Sequence, residues 1–319
     1  MIEYIENWLK VIENMNNDNT YKLAWGRAIV ECVNNAEIND SDLIIKFIDI
    51  SKCMIRYYWN QMFFFKLKQS PYTNSDPVVC KLVNELIDEY KKNSQSEIPV
   101  WFEEGIKMID NKFYNSIVKK VSTTLTYDVS WRFKIANREE VDLYDYDKRK
   151  GLFIVIKKEN AIVLKDYAII VSKLLNYKWT QLLETYNFAP KIAKKVNGLS
   201  IAKLKRNSLS KYKEELLKQF KGGKIIDFYT NEELDKKDIS IDHVIPWSFM
   251  YSDDIWNLVI TSKSNNSSKS NKIPAVEMIE KLEQRNKILK NIVSDKYKND
   301  LEVAEEGNYV KKFYYDSRG

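Results

Sequence analysis

The sequence has little of three things: histidine, cysteine and long apolar runs. Its 319 residues include one histidine and three cysteines. Cys32, Cys53 and Cys80 are odd in number and far apart, which argues against a disulfide framework or a cysteine zinc knuckle. Apolar runs such as residues 167–171 fall far short of the ~18 residues that cross a bilayer, and the start lacks a cationic segment before an apolar one. We therefore expect a folded cytoplasmic protein with reduced thiols and no membrane segment.

Positive charge is modest in total and uneven along the chain. The net charge is +6, and hydrophobic residues make up 44% of the sequence, enough for a sizeable core. Residues 191–224 are dominated by lysine and arginine, with Glu214 and Glu215 as the only acids. We expect Lys203, Lys205 and Arg206 in this segment to contact a phosphate backbone. The alternative, the solvated face of a helix, stays open.

The first 125 residues have helical periodicity. Ile5, Trp8, Leu9 and Ile12 form one apolar stripe, and Ser41-Asp42 is typical of a helix start before a long apolar and aromatic segment. Aromatic residues in this part are expected in the core. The runs at 126–135 and 151–164 are rich in β-forming residues, and the second predicts a hairpin that turns near Glu159-Asn160.

The last third reads as strand, loop, strand and helix. DISIDHVIPW and LVITS predict the strands, and the helix starts near Ala275. We predict an α+β protein with a mainly helical part at 1–190, which includes a small sheet near 125–165. We expect residues 191–319 to form a second domain, with a basic linker helix and a motif core at 240–274.

The candidate chemistry lies in this motif core, in Asp242, His243, Asn266 and Lys269. Carboxylate and amide oxygens suit Mg²⁺ or Mn²⁺, which take few protein ligands when a substrate phosphate supplies others. A neutral imidazole accepts a proton from water near physiological pH, and Lys269 would neutralise a flanking phosphate. Asn265 is an alternative to Asn266 as the metal ligand. Only the spacing between Asn266 and His243 favours Asn266.

IDHVIPWSF, followed by Asn257, Asn266 and Lys269, resembles the HNH endonuclease signature on a ββα-metal unit. The spacing is similar to that in the HNH domain of RNA-guided CRISPR effector nucleases. The resemblance implies that His243 is the general base and that Asp242 and Asn266 hold one divalent ion. It also implies that Asn257 orients the loop that carries the base.

The chain departs from many HNH proteins in one respect. Where a pair of zinc-binding cysteines often precedes the Asp-His motif, this sequence has DFYT at 227–230. We expect no structural zinc, and we expect Phe220, Ile225, Ile226 and Phe228 to hold the segment by packing. Asp253-Asp254 is expected to lie in the loop between the strands.

The resemblance implies metal-dependent hydrolysis of DNA phosphodiesters, in restriction or anti-phage defence. Lys263 joins the expected DNA contacts. Two alternatives stay open: an RNase, and a nucleic-acid-binding effector subunit that is inactive until a protein partner or regulatory ligand binds the helical part. A homodimer is also compatible with the sequence.

Overall fold

The computed structural model describes residues 2–71, 76–127, 129–146, 152–187, 189–197, 206–220 and 222–318. They are mainly helical with three two-stranded antiparallel sheets, which confirms the α+β class. The chain divides into two compact units. The first comprises Met1–Ser96, Val100–Asn187 and Ile192–Leu199, and the second comprises Glu97–Pro99, Phe188–Lys191 and Ser200–Gly319.

Helices dominate the first unit. They are α1 Ile2–Asn14, α2 Tyr21–Asn35, α3 Phe47–Tyr58, α4 Val78–Ser94, α5 Phe102–Gly105, α6 Asn111–Tyr127, α7 Val129–Arg132, α8 Lys158–Asp166, α9 Ala168–Tyr186 and α10 Ile192–Asn197. A π-helix at Trp59–Phe64 continues α3, and a 3₁₀ turn at Ile106–Met108 follows α5. The strands are β1 Leu43–Lys46, β2 Ile135–Ala136, β3 Glu139–Glu140 and β4 Phe153–Ile156.

Aromatic side chains fill the core of the first unit, as the sequence predicts. Trp8, Trp25, Trp59, Trp101 and Trp179 are at most 1% exposed. Buried indole N–H groups need acceptors, and Trp25 Nε1 donates to the hydroxyl of Tyr144 at 3.0 Å. In the described part of the chain, no helix combines the length and apolarity needed to cross a membrane.

Three local predictions for the first unit are wrong. Residues 43–46, expected in a helix, form strand β1, and the helix starts at Phe47. The hairpin expected at 151–164 is strand β4 followed by helix α8, and β4 pairs with β1. The β-rich run at 126–135 contains helix α7 and ends in the two-residue strand β2. Strands β1 and β4 are each other's partners across more than a hundred residues, so local propensity has little weight for them.

The second unit contains a hairpin surrounded by helices. Its elements are α11 Ser210–Leu217, β5 Ile239–His243, α12 Trp247–Met250, a 3₁₀ turn at Ile255–Asn257, β6 Leu258–Ser262, α13 Lys263–Lys269, α14 Val276–Leu289, α15 Asp295–Glu306 and α16 Tyr309–Arg318. The sequence predicts one basic linker helix in this segment. The described residues instead contain two helices there, α10 and α11.

Strands β5 and β6 pair antiparallel, with Asp242 opposite Val259 and His243 opposite Leu258. All five residues of β6 are buried, and the hairpin shares an apolar core with helices α14, α15 and α16. Helix α13 follows β6 without a loop because the Ser262 side chain caps it, accepting from Asn265 N at 3.0 Å. The strand pair and α13 therefore form a rigid frame for the motif residues.

Candidate active site

The end of strand β5 carries Asp242 and His243 to the wall of one polar cavity of about 350 Å³. His243 is the last residue of the strand, and the chain then turns through Pro246 into α12. The turn lets two adjacent residues line one space, as the sequence analysis requires. The cavity is lined by Arg206, Ser240, Asp242, His243, Trp247, Lys263, Asn266, Ser267, Ser270 and Asn271.

One oxygen of the Asp242 carboxylate is held by two donors. Its Oδ2 accepts a hydrogen bond from the Tyr229 hydroxyl at 2.6 Å and lies 3.1 Å from the ammonium of Lys269. Burial lowers the pKa of Lys269, while the charge of Asp242 acts to raise it. Lys269 Nζ also donates to the backbone oxygen of His243 at 2.6 Å. The structure thus places Lys269 inside the site, where it fixes the Asp-His pair.

The imidazole of His243 is held by Asp253. His243 Nε2 lies 3.0 Å from Asp253 Oδ1, and both side chains are at most 10% exposed. This hydrogen bond holds the pKa of Asp253 below its usual range against the opposing effect of burial. An ionised carboxylate only accepts hydrogen bonds, so we assign the proton to Nε2, and no described residue forms a hydrogen bond with Nδ1.

Asn257 braces the loop that follows the base. Ile245 N donates to its Oδ1 at 2.8 Å, and its Nδ2 donates to Ile245 O at 2.9 Å. The backbone adds a third link, from Val244 N to Asn257 O at 2.9 Å. The side chain is 1% exposed, so its amide serves the loop and does not face the cavity.

Helix α13 turns Asn265 and Asn266 in different directions. Asn266 lines the cavity, and its Nδ2 donates to Ser240 Oγ at 2.7 Å and to Ile241 O at 3.3 Å. Asn265 Nδ2 donates instead to Asp227 Oδ2 at 2.9 Å. Of the two asparagines, Asn266 is the one that lines the cavity.

Asp227 organises the turn that precedes the hairpin. Its carboxylate is fully buried and accepts hydrogen bonds from Tyr229 N, Thr230 N, Thr261 Oγ1, Ser262 N and Asn265 Nδ2. Burial acts to raise the pKa of Asp227, but these hydrogen bonds outweigh it and the pKa lies below the usual range. Four residues are expected to hold this segment by packing. Ile225 and Phe228 lie in the core, and Phe220 packs against it. Ile226 forms an isolated antiparallel β-bridge with Glu233.

The basic residues differ in their placement. Lys203 and Lys205 lie outside the described residues. Arg206 lines the cavity with its guanidinium 4.8 Å from the ring centre of Trp247; burial lowers its pKa, and Asp242 and Asp253 act to raise it. Lys263 also lines the cavity, although its Nζ donates to Lys237 O at 2.9 Å.

The donor set fits a divalent cation of the magnesium type. In the described part of the chain, no group donates a hydrogen bond to Asp242 Oδ1 or to Asn266 Oδ1, and both side chains line the same polar cavity. These are hard oxygen donors, which Mg²⁺ and Mn²⁺ prefer. Among the described residues, no three histidine, cysteine, aspartate or glutamate side chains form a metal-binding cluster. A cation here would therefore rely on few protein ligands and on the substrate.

Sequence reasoning missed three residues of this arrangement. Tyr229 and Asp227 lie in the DFYT turn, for which the sequence predicts only the absence of zinc. Asp253 is predicted in the loop between the strands, as a minor candidate for metal binding and with no role toward His243. A signal existed for Asp253, because it is the first acid after the only histidine and lies ten positions from it. No comparable signal marks Tyr229, since its contact depends on how the turn packs on β5.

Comparison with known proteins bears on residues 227–275, which match the family model of HNH endonucleases. A stretch of 58 residues is 40% identical to the CRISPR-associated endonuclease Cas9 of Listeria innocua serovar 6a, covering 17% of this chain and 4% of that protein. A stretch of 86 residues is 35% identical to the CRISPR-associated endonuclease Cas9 of Streptococcus mutans serotype c, covering 25% of this chain and 6% of that protein.

The matched stretches thus span a small part of these relatives, and the comparison with solved structures found no match. The similarity to the HNH domain of CRISPR nucleases, predicted from the motif, is confirmed. The residues that match the HNH endonuclease model, 227–275, lie in the second unit.

Proposed function

We propose that the protein is a metal-dependent HNH endonuclease that hydrolyses DNA phosphodiesters, with strands β5 and β6 and helix α13 as its ββα-metal unit. The observation that carries the proposal is the convergence on one cavity of a basic imidazole, His243, with the free oxygens of Asp242 and Asn266. Arg206 and Lys263 at the same cavity supply positive charge for a polyanion.

In this mechanism the Nδ1 atom of His243 takes a proton from the attacking water. Asp253 keeps the ring in one orientation and stabilises the imidazolium that forms, as a buried carboxylate does beside a catalytic histidine. A divalent cation held by Asp242 and Asn266 would polarise the phosphate and stabilise the leaving oxygen. Cleavage would leave 5′-phosphate and 3′-hydroxyl ends.

The direct test is cleavage of supercoiled plasmid by the purified chain with Mg²⁺, Mn²⁺ or EDTA, beside a matched single-stranded RNA. We expect nicked or linear plasmid with either metal and intact plasmid with EDTA. Cleavage of RNA alone would replace the DNase proposal by the RNase alternative. Intact substrates under every metal condition would favour an effector subunit that needs a partner or ligand on its helical unit.

The role of Asp253 has its own test. Asp253→Asn keeps the size of the side chain but removes the charge that favours the imidazolium, so the cleavage rate is expected to fall about 10-fold. The matched control is Asp254→Asn, because Asp254 accepts from Ser252 in the same loop and does not contact the ring. Equal rates for the two variants would remove Asp253 from the mechanism.

The relatives are CRISPR-associated endonucleases, and this supports a setting in defence against foreign DNA. The HNH family model matches residues 227–275, and we assign target or partner recognition to the helical first unit. We also propose that the first unit binds DNA and that the chain forms a homodimer. Contacts of Lys203 and Lys205 with the phosphate backbone of DNA remain a prediction from the sequence.

A further inference from the structure

We infer that Tyr229 is a positioning residue for the metal ligand Asp242: its hydroxyl holds one carboxylate oxygen and so directs the other into the cavity. The inference rests on the proposed function, because it concerns the same carboxylate. It adds a residue outside the Asp-His motif on which the affinity for the cation would depend.

Tyr229 is fixed at both of its ends. Its backbone N–H donates to Asp227 Oδ1 at 2.7 Å, and its hydroxyl donates to Asp242 Oδ2 at 2.6 Å. The ring packs edge-on against Phe228 with 5.2 Å between the ring centres. A side chain held in this way defines the position of its hydroxyl, and therefore of the carboxylate that it contacts.

The contact leaves Asp242 with one occupied and one available oxygen. Oδ2 meets the Tyr229 hydroxyl and the Lys269 ammonium, which together use its two lone pairs. Within the described ranges Oδ1 receives no donor. The carboxylate can thus offer Oδ1 to a cation without breaking either existing contact.

A neutral donor suits this position better than a second cation. Lys269 already brings one positive charge to Asp242, and another would compete with the metal for the carboxylate charge. A tyrosine hydroxyl donates to Asp242 Oδ2 without adding charge to the site.

The test is a titration of the intact 319-residue chain with Mn²⁺. Free Mn²⁺ is measured through its electron paramagnetic resonance signal. For Tyr229→Phe we expect the Kd to rise about 10- to 100-fold, the usual loss when a residue that orients a metal ligand is removed. At saturating Mn²⁺ the cleavage rate should return to within about twofold of wild type, because the variant weakens binding and leaves the base intact.

Tyr314→Phe is the matched control, because it removes a buried hydroxyl of the same unit that donates to Pro274 O at 3.1 Å, away from the cavity. Its Kd is expected to equal that of wild type. A wild-type Kd in Tyr229→Phe, or the same rise in both variants, would overturn the inference. Asp242→Ala separates this outcome from a failure of the proposed metal site. Equal Mn²⁺ binding by wild type and Asp242→Ala would contradict both the metal site and the role of Tyr229. Loss of binding in Asp242→Ala, with a wild-type Kd in Tyr229→Phe, would contradict only the role of Tyr229.

Discussion

Replacement of His243 by alanine is expected to slow metal-dependent plasmid cleavage by about 10²- to 10⁴-fold, the usual contribution of a positioned general base. The chain has no second histidine to take over the role. Asp253 is a poor substitute, because a carboxylate with an ordinary pKa of about 3.9 is a much weaker base than an imidazole. The measurement is the initial rate of nicking at saturating Mn²⁺ for wild type and variant.

The interpretation depends on the variant keeping its fold and its cation. Mn²⁺ affinity and the urea midpoint of His243→Ala are therefore measured alongside the rate. We expect the Mn²⁺ affinity to stay close to wild type, since the imidazole contacts neither Asp242 Oδ1 nor Asn266. The free energy of unfolding obtained from the urea midpoint should fall by no more than the loss of the hydrogen bond between His243 and Asp253 accounts for, about 1–3 kcal/mol. A variant that binds Mn²⁺ normally and still cleaves at wild-type rate would show that another group activates the water.

Replacement of Asp227 by alanine is expected to lower the free energy of unfolding of the second unit by about 3–5 kcal/mol. The substitution leaves five buried or partly buried donors without their common acceptor. Such a loss is a large fraction of the ~5–15 kcal/mol that stabilises a typical domain. Hydrogen exchange of peptides from β5 and β6 during urea unfolding reports on this unit separately from the helical one.

Asp300→Ala is the control for this measurement. Asp300 lies exposed on α15, and its pKa is raised by partial burial and by the nearby charge of Asp254. Its carboxylate is therefore not stabilised by the fold, and the free energy of unfolding should change by no more than about 0.5 kcal/mol. Equal destabilisation by the two substitutions would show that Asp227 has no special role.

The same carboxylate predicts a dependence on pH. The folded state lowers the pKa of Asp227, so its contribution is fully present above the unfolded value of about 3.9 and is lost as the pH falls from there through the folded value. The difference in stability between wild type and Asp227→Ala should thus stay constant near neutral pH and narrow below about pH 4. A difference that is independent of pH would mean that the charge of Asp227 is not what matters.

The sequence was most informative where local pattern and chemistry coincide. Strands β5 and β6 follow from their local pattern, and the grouping of Asp242, His243 and Asn266 follows from the resemblance of the motif to the HNH signature. Strand β1 could not be predicted in the same way, because its partner β4 lies more than a hundred residues later and its own residues fit a helix equally well. The roles of Tyr229 and Asp227 could not be predicted for a related reason. Their hydrogen-bond partners belong to β5, β6 and α13, and only the folded unit brings them together.

The Asp227 turn also bears on the conditions under which this unit keeps its shape. A turn stapled by zinc and thiolates comes apart when a chelator removes the metal or an oxidant consumes the sulfur. Here the described contacts are made by a carboxylate and protein donors, which respond to neither treatment. In the proposed mechanism, metal starvation would consequently stop catalysis by removing the bound cation, while the scaffold around the site persists and can work again when the cation returns.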